Sequence, residues 1–317
     1  MSAKLIIHLS QHAIRRNDFL NEGLYGKVAQ FFQAAGTQVA FTQLIEPVAP
    51  SHYAMPDFHL MHETNVSAPN VLNTGNSYLP SFWYADPIGV MAHSSITTKH
   101  FDPSEIDAKR ADAFYARLYQ RIVDERISKI PQPKTKIICP KGSIAVFLQG
   151  ASIHVKRVQH CTEREMIDAL LASRGKRPLV IKQHPNRFDF DMAVYLNDLI
   201  QQGAPIHLVD ANVHDMIEAA DITCAISSGV AIQSMLHGTP SVMFGKTDFH
   251  HCVETVTNLD DTATALEAAL ASSYDYKAFM LWLFRRHCLN INTKNFIPRL
   301  MERMADRGFD LSSLSQL

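Results

Sequence analysis

Short apolar runs alternate along the chain with longer stretches in which apolar positions follow a helical period, and the alternation occurs twice. Continuous apolar runs bounded by turn residues read as buried strands, and a period near 3.6 reads as a helix packed on one face, so the pattern predicts βαβ units around parallel sheets. In the first half, Lys4–Leu9 reads as a strand, Asn21–Ala35 as a helix closed by Gly36, and Thr37–Leu44 as a second strand. Phe58–His62 and Val71–Leu72 are shorter strand candidates. Asn73–Asp86 is rich in turn formers and reads as a loop before a long helical pattern at Pro103–Ile130. Pro131–Lys141, with its prolines and lysines, reads as an interdomain linker.

The second half restarts with the strand pattern Ser143–Leu148. A helix over Glu163–Ala172, a strand at Pro178–Lys182, a helix at Asp191–Gln202 and a strand at Pro205–Val209 follow. Then come a short helix at Val213–Ala219, a strand at Ile222–Ile226, a helix to Leu236 stopped by Gly238, and a strand at Ser241–Phe244. Strict alternation implies right-handed crossovers and one doubly wound domain. Thr262–Arg307 reads as largely helical. The predicted organisation is a first α/β domain over 1–130, a linker over 131–141, a second over 142–260 and a helical segment over 261–317.

At 317 residues the chain can bury two cores. With 46% hydrophobic and 19% charged residues and a net charge of −1, it has a globular composition and no basic excess for a nucleic-acid partner. The five cysteines, Cys139, Cys161, Cys224, Cys252 and Cys288, are scattered without zinc-site spacing and read as reduced thiols of a cytoplasmic protein. The run LIIHL is too short for a signal peptide or a membrane span. Peripheral attachment at the inner face of a membrane stays open.

Two motifs fall beyond predicted strand ends, where ligands of open α/β sheets sit. In LVIKQHPNRF, Lys182, His184 and Pro185 follow a strand; the imidazole can donate to a phosphate oxygen, or the pair is a simple His-Pro turn. In ITCAISSGVAIQSML, Ser227, Ser228 and Gly229 lie between a strand and a helix, and they form either a phosphate cradle or an ordinary cap. Neither a G-x-G-x-x-G after the first strand nor a P-loop occurs, and G-x-S-x-G and H-E-x-x-H are also missing. Asp189, Phe190 and Asp191 imitate a metal-binding D-x-D, but at a predicted helix start they read as a cap.

An HP motif followed by an SS motif resembles bacterial sialyltransferases that use CMP-sialic acid, and CMP-Kdo-dependent transferases of capsule and lipopolysaccharide synthesis. KQHPNRF is similar to the HPERF-type stretch of lipid A Kdo transferases. FLQGASIHV with EREMIDALL is similar to capsule polysaccharide synthesis proteins, a resemblance that covers Ile144–Phe249 and extends to the first half through WYADPIG and HSSI. The resemblance implies a GT-B-like α/β fold, two Rossmann-like domains facing a cleft, with the C-terminal helices packing back on the first. It also implies a CMP-sugar donor (Kdo or a sialic acid), an oligosaccharide or glycolipid acceptor, no metal, and a CMP phosphate held by Lys182, His184, Ser227 and Ser228. Gln149 would then face the sugar or the nucleotide.

The family's acidic pair followed by glycine has no counterpart here. An inverting transfer needs a carboxylate able to accept the acceptor hydroxyl's proton. Asp86 in ADPIG, beside Trp83 and Tyr84, ranks first, with an Asx-Pro turn as its alternative; Glu22 in NEG ranks second. A UDP- or CDP-linked donor, a sugar-nucleotide epimerase or hydrolase, and a non-catalytic capsule-assembly module are the competing readings.

Overall fold

The computed structural model describes residues 3–16, 23–150 and 157–310. Along the chain run β1 (Leu5–Leu9), α1 (Gln11–Arg16), α2 (Leu24–Ala34), β2 (Val39–Gln43), β3 (Phe58–His62), β4 (Val71–Asn76) and β5 (Phe82–Asp86). Then follow α3 (Ala108–Tyr119), β6 (Ser143–Phe147), α4 (Glu163–Ser173), β7 (Leu179–Lys182), α5 (Phe190–Gln201), β8 (Ile206–Leu208), α6 (Val213–Ala219) and β9 (Ala220–Ala225). The last elements are α7 (Val230–His237), β10 (Ser241–Met243), β11 (Glu254–Thr255), α8 (Thr262–Ala271), α9 (Tyr276–Leu281), β12 (Leu289–Asn290) and α10 (Phe296–Ala305).

These elements form two compact α/β units, one comprising Met1–His100 with Trp282–Leu317 and the other Phe101–Leu281. Both are Rossmann-like, the class expected of a GT-B-like chain. The first has the sheet order β12-β5-β4-β3-β1-β2, parallel from β2 to β4. β5 and β12 add antiparallel strands at one edge. The C-terminal segment returns to this unit: Leu289, Phe296, Leu300 and Met304 join Leu5, Ile7, Phe32 and Leu60 in one core. The packing of the last helix on the first domain is therefore as expected.

The stretch 73–86, expected as a loop, contains most of β4 and all of β5. Asn73 tolerates a buried strand because its amide is fully used: Oδ1 accepts from Thr64 Oγ1 (2.6 Å) and the Val66 N–H (2.9 Å), while Nδ2 donates to the Val66 and Asp86 carbonyls. The polar residue thus carries no desolvation debt.

The second unit has a parallel sheet in the order β11-β10-β9-β6-β7-β8. Its strands and helices match the predicted alternation, and Gly238 ends α7 in the left-handed conformation (φ 74°). Residues 101–130, expected in the first domain, belong here. The Tyr115 hydroxyl lies 2.8 Å from the Met235 carbonyl and 2.9 Å from that of Leu236, and Lys277 pairs with Asp112 at 2.8 Å. The expected linker is also strapped down. Arg126 forks onto the buried Asp215, which accepts from the Ile137 N–H at 3.0 Å, and Asn212 Nδ2 donates to the Pro133 carbonyl.

Each unit pairs two imidazoles, of which His8, His59 and His214 are buried and His237 is half-buried. His8 Nε2 meets His59 Nδ1 at 2.9 Å, and His214 Nδ1 meets His237 Nε2 at 2.9 Å. Only one nitrogen of each pair can carry the shared proton. Burial, then the facing ring, pushes His8 and His237 from the ordinary 6.5 down to about 4. The unfolded chain therefore binds more protons between these values, so the stabilisation is complete above 6.5 and is lost as pH falls towards about 4. Urea unfolding should show lower stability at about pH 5 than at about pH 7.5, with a shallower loss in His8→Asn and His237→Asn. A flat profile in the unsubstituted protein would remove this account.

Candidate functional site

In the second unit the chain leaves β6 for β7 and β8 on one side, then returns across to β9 on the other. This reversal opens a crevice at the carboxyl ends of β6 and β9, the place where doubly wound sheets bind ligands. One hydrogen bond spans it: the Ser227 N–H donates to Gln149 Oε1 at 2.8 Å. The N–H groups of Gln149 and Gly150 donate in turn to the carboxylate of Glu163, which is only 6% exposed and opens α4. The N-terminus of α4 favours that negative charge. Gly150 has φ 68°, and a Cβ there would stand 2.8 Å from the Arg187 carbonyl oxygen. Only glycine lets the β6 loop and the turn after β7 approach this closely.

That turn carries the HP motif. The Arg187 N–H donates to the His184 carbonyl at 3.1 Å, closing a four-residue turn with Pro185 at its second position, where the ring presets the backbone. The Asn186 N–H donates to His184 Nδ1 at 3.2 Å. Nδ1 is therefore the acceptor and Nε2 carries the hydrogen. Burial first, then the Arg187 charge, lowers the pKa of His184 below the ordinary imidazole value, so the ring is neutral near pH 7 and donates from Nε2.

Beyond β9, Ser228 Oγ accepts from the Val230 N–H at 3.3 Å in a local serine turn, while Gly229 is the N-cap of α7 and no side chain caps the helix. The Ser228 hydroxyl hydrogen stays available. The N–H groups of Ser228 and Gly229 have no hydrogen-bond partner among the described residues, although both residues are half-buried at the start of α7. Two such donors, two serine hydroxyls and a helix start make a local field for an anion.

Two expected contacts change. Lys182 is 4% exposed, and its ammonium donates to Asp210 Oδ1 (2.9 Å) and the Ala211 carbonyl (2.6 Å). A cation whose charge is already paired ties β7 to the loop after β8 instead of holding phosphate. Gln149 spends its carbonyl oxygen on Ser227, which makes it a positioning residue for the serine turn. Asp189 caps α5 through the Met192 N–H (3.0 Å), as its spacing predicts.

In the first unit, Asp86 proves to organise a loop. Its Oδ1 accepts from the N–H groups of Ile88 (2.8 Å), Gly89 (3.1 Å) and Ser95 (3.0 Å), and Oδ2 from the Ser95 hydroxyl (2.7 Å) and N–H (3.1 Å). A carboxylate has about four lone-pair sites, so this one has none left for a substrate proton. It also ends an antiparallel strand beside Asn73, in the amino-terminal half of β4. Glu22 lies outside the described residues.

The carboxyl ends of β3 and β4 carry a different group, which sequence reading missed. Thr74 Oγ1 donates to the Met61 carbonyl (3.2 Å), so it accepts from the Tyr25 hydroxyl (2.7 Å). The tyrosine oxygen then accepts from His62 Nδ1–H at 2.8 Å. This chain fixes the tautomer of His62 and makes Nε2 its acceptor nitrogen. Burial raises the pKa of Tyr25, keeping its hydroxyl protonated. Trp83 packs edge-on against Tyr25, and Glu63 follows with an exposed carboxylate and φ 52°. A positive φ at a non-glycine residue beside a polar relay is the kind of strain that gathers at functional sites.

No protein-family model matches the chain, and no curated protein sequence matches it. Among solved structures it is similar to KpsC of Thermosulfurimonas dismutans, a β-Kdo 2,7 transferase, with a TM-score of 0.58 at 14% identity over 95% of this chain and 98% of that one. At 14% identity this is a likeness of fold. The β-Kdo 2,4 transferase KpsC of the same organism aligns with a TM-score of 0.48 and 15% identity over 82% of this chain and 89% of that one. A UDP-GlcNAc 2-epimerase of Methanocaldococcus jannaschii aligns at 0.40 and 9% identity, over 97% of this chain and 100% of that one.

The crevice predicts a specific weakness at Glu163. Glu163→Gln turns an amide nitrogen or a weaker acceptor towards two main-chain N–H groups, and should lower the unfolding free energy by about 1.5–3 kcal/mol, as for a hydrogen bond to a charged group. Urea unfolding followed by far-ultraviolet dichroism measures it. A change within experimental error would mean that the carboxylate does not hold the loop.

Proposed function

We propose that the protein is a glycosyltransferase that moves an acidic sugar, Kdo or a sialic acid, from a CMP-activated donor to an oligosaccharide or glycolipid acceptor. The observation that carries this reading is the group of hydrogen-bond donors beyond β7 and β9: His184 Nε2–H, the Ser228 and Gly229 N–H groups, and the hydroxyls of Ser227 and Ser228. The similarity of fold to a Kdo transferase supports it.

In this reading the bond between the sugar's anomeric carbon and the CMP phosphate oxygen breaks, and negative charge grows on the departing phosphate. Donors fixed in place before the reaction stabilise that charge without reorganising. Their partial positive charge does the work a metal does elsewhere, and activity is expected to survive EDTA. As the acceptor hydroxyl attacks it gives its proton to a base, and among the residues of the first unit His62 is the one we propose for that role. Tyr25 and Thr74 hold the imidazole in the tautomer this requires.

CMP should raise the melting temperature more than UMP, UDP, CDP or GDP, because a ligand that binds only the folded state stabilises it. His184→Ala should weaken CMP binding in calorimetry without lowering the melting temperature. His62→Gln should keep CMP affinity but lose about 10²–10⁴ in kcat, the usual loss on removing a positioned base, with Glu63→Gln much milder. The reverse order would move the base to Glu63. Equal stabilisation by all nucleotides would remove the CMP assignment.

A further inference from the structure

A cavity of about 200 Å³ within the first unit is lined by Lys99, Arg286, Arg303 and Arg307 together with Asp86 and Asp306. Four of these side chains are cations and two are carboxylates. Arg303 donates through Nη1 to the Ala85 carbonyl (2.9 Å) and through Nη2 to those of His287 (3.0 Å) and Arg286 (3.3 Å), with no carboxylate in ion-pair range among the described residues. Arg307 reaches the Ala68 carbonyl, and its Nε–H is buried with no hydrogen-bond partner among the described residues. Asp86 supplies one negative charge near Arg303, and its oxygens are already hydrogen-bonded to the N–H groups and hydroxyl of its own loop. Asp306 is exposed. The His287 ring also lines the cavity, and burial, then Lys99, Arg303, Arg286 and Arg299, pushes it down to about 3, so it stays neutral in this field.

Desolvated guanidinium groups are costly unless an anion pairs with them, and main-chain carbonyls satisfy only part of their hydrogen-bonding capacity. We propose that this cavity is a second ligand site, selective for a phosphate group. A dianion with at least three acceptor oxygens matches two guanidinium groups and an ammonium better than a carboxylate does. The site belongs to the face covered by α10 and uses none of the residues assigned to sugar-nucleotide binding or proton transfer. It stands whether or not the transferase reading is right.

The test is calorimetric titration of the His184→Ala protein with inorganic phosphate at constant ionic strength, so that the donors beyond β7 are weakened. Phosphate should bind, acetate should not compete, and Arg307→Gln should lower the phosphate affinity about tenfold or more, as expected for one charge-assisted hydrogen bond. Lys99→Gln, on an exposed side chain, should weaken it in the same direction, and it keeps the test valid if Arg307→Gln unfolds. Glycerol 3-phosphate and vesicles of phosphatidic acid in phosphatidylcholine identify the source. Binding of the first alone, abolished by Arg307→Gln, marks a soluble phosphomonoester; binding of the vesicles, abolished likewise, marks a lipid phosphate. Absence of phosphate binding, or equal affinity in all variants, would overturn the proposal.

Discussion

The hydrogen bond from the Ser227 N–H to Gln149 Oε1 is the constraint on which the candidate site depends. It closes the point where the second sheet reverses its winding, and it fixes the turn after β9 relative to the turn after β6. Glu163 holds the other side of the same loop, and Gly150 lets the His184 turn come close. Three turns on three strands are thereby set with few side chains. What remains at this edge is a group of donors, the Ser228 and Gly229 N–H groups, with no acceptor among the described residues, and such a group favours a nearby anion.

The first unit solves a different problem. It spends Asp86 on a loop and a buried asparagine on a strand, and it places an ordered proton chain, Thr74 to Tyr25 to His62, at the carboxyl ends of β3 and β4. Fixing an imidazole tautomer through buried hydroxyls costs rotamer freedom once, during folding. The C-terminal segment completes this unit, adding β12 to its sheet and the apolar face of α10 to its core.

Much of the second unit was legible because β6, β7 and β10 are buried runs, β9 is one from Ile222 on, and several helices have a recognisable start or stop. The HP turn could be found because Pro185 and the preceding strand are local signals. Less was legible where long-range partners decide. β5 and β12 are antiparallel additions whose turn-like residues become strands only once Asn73 and Trp83 receive their partners. Asp86 misled for a related reason, since the same A-D-P-x-G text suits a free carboxylate or one saturated by N–H groups, including that of Ser95, nine positions further along. His62 left no trace in the sequence, because its relay draws on Tyr25 and Thr74 from separate elements. Lys182 looked like a phosphate ligand until Asp210, on the next strand's loop, claimed its charge.

A crystal structure of the protein with CMP tests the central claim most directly. The account predicts the phosphate within about 3 Å of the Ser228 and Gly229 nitrogens and of His184 Nε2, with the Gln149 to Ser227 hydrogen bond intact. A CMP phosphate bound elsewhere, or one contacted by Lys182 after release of Asp210, would contradict it.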